Sequence, residues 1–149
     1  MQTASVCIIS HDIIELAVMA DSMSGKYSVI AAHDYDEALY LMESFLSCRL
    51  VYYEVGKDAD TALKDMYALG RRGMDVFAMY HPPCHTAVRQ ATVKGRIQGL
   101  CRLPILPESL LAQTRNAFCC MPSSLACAQP DPCHLTQDEI DFLLDIHYE

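Results

Sequence analysis

The chain has 149 residues, a length typical of one domain that can bury a core of its own. Hydrophobic residues make up 52% of it, which excludes a disordered chain, and the formal net charge of −8 argues against broad nucleic-acid or anionic-membrane binding. No apolar run approaches the roughly 20 residues of a membrane-spanning helix. No basic segment precedes an apolar one at the N-terminus, so we expect a cytoplasmic protein without a secretory signal.

The first half of the chain alternates between strand and helix patterns. Strands are predicted at Ser5–Ser10, Tyr27–Ala32 and Leu50–Val55, and helices at Ile13–Met23, Tyr35–Leu46 and Ala59–Leu69. Asp12 and Asp34 are suited to cap the first two helices, and Gly70 to end the third. Helical spacing predicts that the first helix buries Ile13, Leu16, Ala17 and Ala20, and that the second buries Ala38, Leu39, Met42 and Phe45.

The second half continues the alternation up to Phe118. Strands are predicted at Asp75–Tyr80 and Ile97–Leu103, and helices at Cys84–Lys94 and Pro107–Phe118, the last with Leu110, Leu111 and Thr114 facing inward. His81-Pro82-Pro83 forces a turn, because proline lacks the N–H and restricts the residue before it. Five strands alternating with five helices predict an α/β, flavodoxin-like, doubly wound parallel sheet with right-handed crossovers.

The third predicted strand lies within Arg49–Gly56, which reads RLVYYEVG. Its four consecutive apolar or aromatic residues before one acid are typical of a buried central strand. Tyr52 and Tyr53 must point to opposite faces of the sheet, and we expect both to pack in the core. Such a strand brings Glu54 to the carboxyl edge of the sheet, where open α/β folds place their sites.

The composition changes after Cys120. Residues 121–134 are rich in Pro, Ser and Ala, have no period and are predicted to be a linker. Leu135–Ile146 is predicted to be a short amphipathic helix, with Thr136 and Glu139 forming a capping box. The expected organisation is therefore a domain at 1–120, a linker at 121–134 and an amphipathic helical segment at 135–149.

Cysteine and histidine residues raise the question of a metal site. Four of the eight cysteines lie within fifteen residues, at Cys119, Cys120, Cys127 and Cys133, with His134 directly after them. No CxxC pair occurs, so unpaired cysteines are favoured over zinc, and a redox-sensitive tail stays open. His81, Cys84 and His85 have ligand chemistry but no adjacent carboxylate, and His11 is interpreted as a loop residue rather than a base. We expect no metal and no cofactor.

The order of elements, the strand lengths and the Leu103-Pro104 step together resemble the receiver domain of two-component response regulators, over about Ser5 to Phe118. In active members of that family, acids after the first strand bind Mg²⁺ and an aspartate ending the third accepts phosphate. A Thr or Ser ends the fourth strand, and a Lys precedes the proline after the fifth. The matching positions here carry Ser10 and His11 (with Asp12 one place later), Glu54, Tyr80 and Leu103, and Arg102 is the nearest cation.

These departures predict a pseudo-receiver without enzymatic activity. Phosphoryl transfer to a carboxylate needs a metal clamp and a cation for the developing charge. Asp12 beside a Ser-His pair makes a poor Mg²⁺ site, and Glu54 is a methylene longer than aspartate. Glu54 either supplies a fixed negative charge or is only the polar end of a strand. Residual phosphoryl chemistry at Asp12 and Glu54 is the weakest alternative.

Receivers without chemistry act as binding modules. The resemblance implies a partner-binding face built from the fourth helix, the fifth strand and the last helix. That face would comprise Val88, Thr92, Leu100, Arg102, Leu111 and Arg115. Leu100 occupies the position of the family's aromatic switch residue, so the usual Tyr/Thr switch is expected to be absent.

The tail carries a second resemblance. Leu135–Leu144 reads LTQDEIDFLL, similar to the CheY-binding N-terminal segment L-S-Q-(D/A)-E-I-D-A-L-L of the flagellar motor switch protein FliM. A short amphipathic helix on a flexible linker is typical of a helix-in-groove ligand. The contact residues would be Leu135, Glu139, Ile140, Leu143 and Leu144. Docking on a partner, reversible docking on its own domain and permanent packing all stay open. An incipient LuxR-type helix-turn-helix is the weaker reading of this segment.

We therefore predict a non-catalytic regulatory module of bacterial signalling, in chemotaxis or flagellar motor control. Its expected partner is a protein, a CheY-type regulator or a flagellar switch component, with a homodimer also open. The alternative is a receiver that acts by phosphorylation-independent dimerisation or regulation in a transcription or other two-component pathway.

Overall fold

The computed structural model describes residues 4–43 and 48–119. The chain divides into two units, Met1–Ala112 and Gln113–Glu149; the sheet described below belongs to the first, and the last helix, Pro107–Cys119, crosses the boundary. None of the described helices is long and apolar enough to cross a membrane. The predicted linker and the FliM-like segment lie outside the described residues, as do Cys120, Cys127 and Cys133.

Strands and helices alternate along the described chain, as predicted. The elements are β1 (Ser5–Ile9), α1 (Ile13–Met23), β2 (Ser28–Ala32), α2 (Tyr35–Met42), β3 (Cys48–Glu54), α3 (Ala59–Arg71), β4 (Asp75–Tyr80), α4 (Thr86–Val93), β5 (Gly99–Arg102) and α5 (Pro107–Cys119). Strand β5 is shorter than the predicted Ile97–Leu103, and α4 begins two residues after the predicted Cys84. Helix α2 ends at Met42, and 44–46 of its predicted length lie outside the described residues.

The strands form one parallel sheet in the order β2-β1-β3-β4-β5. This arrangement confirms the predicted flavodoxin-like, doubly wound sheet. The strand order reverses direction at β1 and β3, which are neighbours in the centre of the sheet. Open α/β folds place their sites at such a switch point, outside the carboxyl ends of the strands.

The core lies against both faces of β3. Tyr52 is fully buried on one face, where its ring centroid lies 5.4 Å from that of Phe77. Tyr53 is buried on the other face and its hydroxyl donates to Asp65 Oδ2 at 2.7 Å. Burial raises the pKa of Tyr53, and the Asp65 carboxylate adds to the effect. Both tyrosines therefore pack in the core, as the sequence predicts.

Helix α3 does not end at Gly70, as the sequence predicted, but runs on to Arg71. The left-handed residue is Gly73, with φ +91°. The N–H of Met74 donates to the Leu69 carbonyl and the N–H of Gly73 to the Gly70 carbonyl, which together make a Schellman motif. The prediction that Gly70 ends the helix was wrong. The residue with the positive φ that closes the Schellman motif is Gly73, three residues later, and glycine adopts that conformation without strain.

Helix α1 buries a different stripe from the predicted one. The sheet side carries Leu16, Met19 and Met23, whereas Ile13 is 66% exposed and Ala17 is also exposed. The two methionines lie on the buried side because their long, flexible side chains fill irregular space over the sheet. The first turn of the helix therefore exposes apolar side chains, Ile13 and Ile14, to solvent.

Cysteines of the described residues are free thiols: Cys7, Cys48, Cys84, Cys101 and Cys119. Cys7, Cys48 and Cys101 are buried and behave as small core residues. Burial raises the pKa of Cys48 to about 11, so its thiol stays protonated at neutral pH.

Candidate functional site

The carboxylate of Glu54 lies at the carboxyl edge of the sheet, at the end of β3, as predicted. Only 7% of the residue is exposed. Its Oε1 accepts the Ser10 hydroxyl at 2.8 Å and the backbone N–H of His11 at 3.0 Å. Ser10 is itself fully buried directly after β1. The start of the β1–α1 turn therefore fixes one oxygen of Glu54 with two hydrogen bonds, which compensate part of its burial.

Asp12, the one acid of this turn, serves helix α1. Its Oδ1 accepts the backbone N–H groups of Ile14 at 3.0 Å and Glu15 at 3.2 Å, which makes it the N-cap. The side chain is exposed, and the N–H of Asp12 donates to the Ser10 hydroxyl oxygen at 3.2 Å. Asp12, the acid nearest to the position of the family's acid pair, therefore caps a helix.

Two residues that the sequence did not assign to the pocket complete it. Glu15 lies in the first turn of α1, and His81 follows β4, the neighbour of β3. Nε2 of His81 lies 3.2 Å from Glu15 Oε2 and 3.4 Å from Glu54 Oε2. The His81 side chain is 52% exposed, against 18% for Glu15 and 8% for Glu54. One imidazole thus lies between two carboxylates at the edge of the sheet.

The surroundings of Glu15 disfavour its charged form. Burial raises the pKa of its carboxyl above the ordinary value of 4.5, and a hydrogen bond to Glu54 and the charge of Glu54 raise it further. Asp12 adds to the shift, whereas His81 opposes it. The edge of the sheet therefore concentrates negative charge that a cation would relieve.

The remaining predicted pocket positions lie at the ends of β4 and β5. Tyr80 is half-buried, and burial raises the pKa of its phenol. Leu103 is 1% exposed and belongs to the core, so the position of the family's lysine carries an apolar side chain. Arg102, the nearest cation in sequence, is exposed, and it forms no ion pair with Glu54 among the described residues.

The residues predicted to form a partner-binding face differ in accessibility. Val88 is fully buried and packs in the core, so it offers no side chain to a partner. Thr92, Leu100 and Leu111 are half-buried, and Arg102 and Arg115 are exposed. The Thr92 hydroxyl donates to the Val88 carbonyl at 3.1 Å. The predicted tail contacts, from Leu135 to Leu144, lie outside the described residues.

Sequence signals for Glu15 and His81 existed but were weak. Glu15 stands three residues after the N-cap Asp12, the position at which a carboxylate turns back toward the chain before the helix. His81 directly follows β4, and parallel strands end at the same edge of a sheet. The sequence grouped His81 with Cys84 and His85, its neighbours along the chain. The structure instead places it beside two carboxylates from other elements.

The fold is the flavodoxin-like fold that receiver domains have. The structural neighbours of the chain are CheY-like response-regulator receiver domains. No protein-family model matches the chain, and no curated protein matches it in sequence.

Three solved structures illustrate the likeness. Chemotaxis protein CheY4 of Vibrio cholerae shares 17% identity over 76% of this chain and 97% of its own, with a TM-score of 0.65. A response regulator of Thermotoga maritima shares 16% identity over 76% of this chain and 95% of its own, with a TM-score of 0.66. A CheY-like receiver protein of Methanospirillum hungatei shares 15% identity over 78% and 94%, again with a TM-score of 0.66. At such identities the likeness establishes the fold.

Proposed function

We propose that the chain is a non-catalytic pseudo-receiver, a cytoplasmic regulatory module of bacterial two-component signalling. It acts by protein–protein contact, in chemotaxis or flagellar motor control. The observation that carries the proposal is the state of Glu54. Oε1 of this carboxylate is already bound by Ser10 and His11, and Oε2 faces His81 and Glu15. The acceptor position thus holds a permanent, internally bonded carboxylate.

Phosphoryl transfer to this carboxylate lacks the lysine and the pair of acids that the receiver resemblance implies for stabilising its transition state. Charge develops on the transferred phosphoryl oxygens and needs a metal ion or fixed cations beside them. The lysine position of active receivers is occupied by the buried Leu103, and Asp12 is used as a helix cap. A second carboxyl group, Glu15, adjoins Glu54, so the pocket offers an incoming phosphate another acid where a cation is needed.

Incubation with acetyl phosphate and Mg²⁺ tests the lack of phosphorylation. We expect the intact mass of the chain to stay unchanged, and the Glu54→Asp variant to stay unmodified as well, because a shorter carboxylate does not supply the missing cation. A phosphorylatable receiver treated in parallel controls for the reagent. A phosphorylated peptide that contains Glu54 would contradict the proposal.

The chemotaxis assignment rests on the tail sequence, which resembles the CheY-binding segment of FliM. A labelled peptide, Leu135–Glu149, is to be titrated against phosphorylated CheY and against this chain truncated after Cys120. We expect binding to phosphorylated CheY, through the apolar face of the helix. Binding to the truncated chain alone indicates an intramolecular latch, and binding to neither contradicts the chemotaxis assignment.

The second candidate is a receiver that works by dimerisation, in transcription or another two-component pathway. Helix α1 favours it, because Ile13, Ile14 and Val18 are 66%, 77% and 55% exposed on one side of the helix. Exposed apolar groups of this kind mark contacts between proteins. Sedimentation equilibrium discriminates: a concentration-dependent dimer favours this candidate, and a monomer favours the first.

A further inference from the structure

Three side chains converge at the carboxyl edge of the sheet with metal-ligand chemistry. Glu15 comes from the first turn of α1, Glu54 from the end of β3 and His81 from the residue after β4. One ligand atom of each lies within 4.8 Å of one ligand atom of each of the others. Two carboxylate oxygens and one imidazole nitrogen are a donor set that first-row divalent metal ions accept.

The separations between His81 and the two carboxylates are compatible with shared coordination of one ion. Charge-assisted N–H···O bonds are about 2.7–2.9 Å long. His81 Nε2 lies farther away, 3.2 Å from Glu15 and 3.4 Å from Glu54. With metal–ligand bonds of about 2.1 Å, neighbouring ligand atoms lie roughly 3.0 Å apart in an octahedral site and roughly 3.4 Å apart in a tetrahedral one. The observed distances fall between these two values.

Hydrogen bonds orient one ligand before any ion binds. The Ser10 hydroxyl and the His11 N–H both hold Oε1 of Glu54, which leaves Oε2 as the oxygen nearest to His81. Outer partners of this kind fix the orientation of metal-ligating carboxylates. Glu54 is therefore already positioned for coordination by its own fold.

The charges at this edge are not balanced by basic side chains. Oε1 of Glu15 is buried without a hydrogen-bond partner among the described residues. Neither Glu15 nor Glu54 forms an ion pair with a Lys or Arg in the described part of the chain; each pairs with His81 alone. An unpaired buried carboxylate oxygen is costly, and a divalent cation bound by both oxygens of Glu15 would offset that cost, whereas one bound by Oε2 alone would offset only the charge.

We propose that Glu15, Glu54 and His81 form a binding site for a divalent transition-metal ion. The sequence predicted no metal, because neither glutamate lies near His81 along the chain. The site differs from the Mg²⁺ site that the receiver resemblance implies, since Ser10 and His11 supply no side-chain ligand and an imidazole takes part. Nitrogen ligation favours Zn²⁺ or Co²⁺ over Mg²⁺. The inference concerns the pocket of the proposed function but does not depend on the signalling role.

Binding would connect the start of α1 to the ends of β3 and β4. The ion would fix His81, which is half-exposed on the β4–α4 connection. The position of this connection would then depend on metal occupancy rather than on phosphate. A signalling module without phosphoryl chemistry would thereby retain a ligand-dependent state at the same edge.

Titration of the full reduced chain with Co²⁺ tests the proposal, with metal removed beforehand by a chelator. We expect one ion bound with visible d–d absorbance and without the near-ultraviolet thiolate band that cysteine ligands produce. The variants H81N and E15Q should each weaken this binding by roughly tenfold or more. Thermal unfolding gives a second readout, because Co²⁺ should raise the Tm of the parent chain by more than that of the variants.

The control variant is H33N. His33 Nδ1 lies 3.3 Å from Glu37 Oε1 in an exposed His–Glu pair that has one carboxylate instead of two. Its removal should leave Co²⁺ binding unchanged. Circular dichroism checks that each variant folds. If E15Q fails to fold, H81N still tests the proposal, because it changes a half-exposed side chain. No binding, binding that H81N and E15Q leave unchanged, or a thiolate band alone would overturn the proposal. Phosphate uptake is measured separately, so the two proposals fail independently.

Discussion

Replacing Leu103 by lysine is expected to lower the free energy of unfolding by roughly 3–5 kcal/mol, without enabling phosphorylation. The substitution would restore the residue type that the receiver resemblance implies before the proline. Leu103 is 1% exposed, so the new ammonium would replace a packed core side chain and lose its hydration. Urea unfolding measures the loss, and acetyl phosphate treatment measures any gain of chemistry.

The matched control is Arg102→Lys on the adjacent, exposed residue. It should change stability by no more than about 0.5 kcal/mol, as surface substitutions usually do. If Leu103→Lys were as stable as the parent chain and took up phosphate, the apolar side chain at this position alone would be what prevents the chemistry, and the prediction would be contradicted.

Truncating Tyr52 to alanine is expected to destabilise the fold by roughly 3–5 kcal/mol, the range for large aromatic residues in cores. Tyr52 is 0% exposed in the central strand, and its ring packs against Phe77. Its removal leaves a cavity on one face of the sheet, beside the Phe77 ring, which close-packed neighbours fill only in part. Urea unfolding of the variant measures the loss.

The same substitution at Tyr40 provides the comparison. This tyrosine of α2 is 73% exposed, so Tyr40→Ala should shift stability by no more than about 0.5 kcal/mol. Equal losses at the two positions would contradict the placement of β3 in the middle of the core.

The sequence predicted the fold well because alternation of apolar periods is a local signal. The apolar period of each strand and helix can be identified from the residues of that element alone. The rule for right-handed crossovers then leaves few topologies. The position of Glu54 followed from the same logic. Helix ends were less accurate: Gly70 and Gly73 are both plausible stops, and only the backbone turn decides between them.

The site itself was predicted only in part, because its contacts join residues far apart in the sequence. Glu15 and His81 reach Glu54 from two different elements, and no spacing along the chain relates the three. The exclusion of Val88 from the surface depends on which side of α4 faces the sheet, a rotation that the sequence pattern left open. The side of α1 that is buried was misjudged for the same reason.

The edge around Glu54 is the part of the molecule on which the proposed function depends. In the receiver resemblance, this edge is where phosphate would be taken up. Here its carboxylate is bonded internally, its lysine position is buried leucine and a second glutamate adjoins it. These features are the basis of our proposal that the edge takes up no phosphoryl group and serves metal or partner binding instead.

Beryllofluoride, which takes the place of a phosphoryl group on a carboxylate, tests this claim most directly. Amide spectra of the full chain with Mg²⁺ alone are to be compared with spectra after beryllofluoride is added. We predict that the signals of His11, Glu54 and His81 do not move on that addition. Saturable shifts at these residues, with a bound fluorine resonance, would show that the pocket accepts a phosphoryl group and would contradict the pseudo-receiver account.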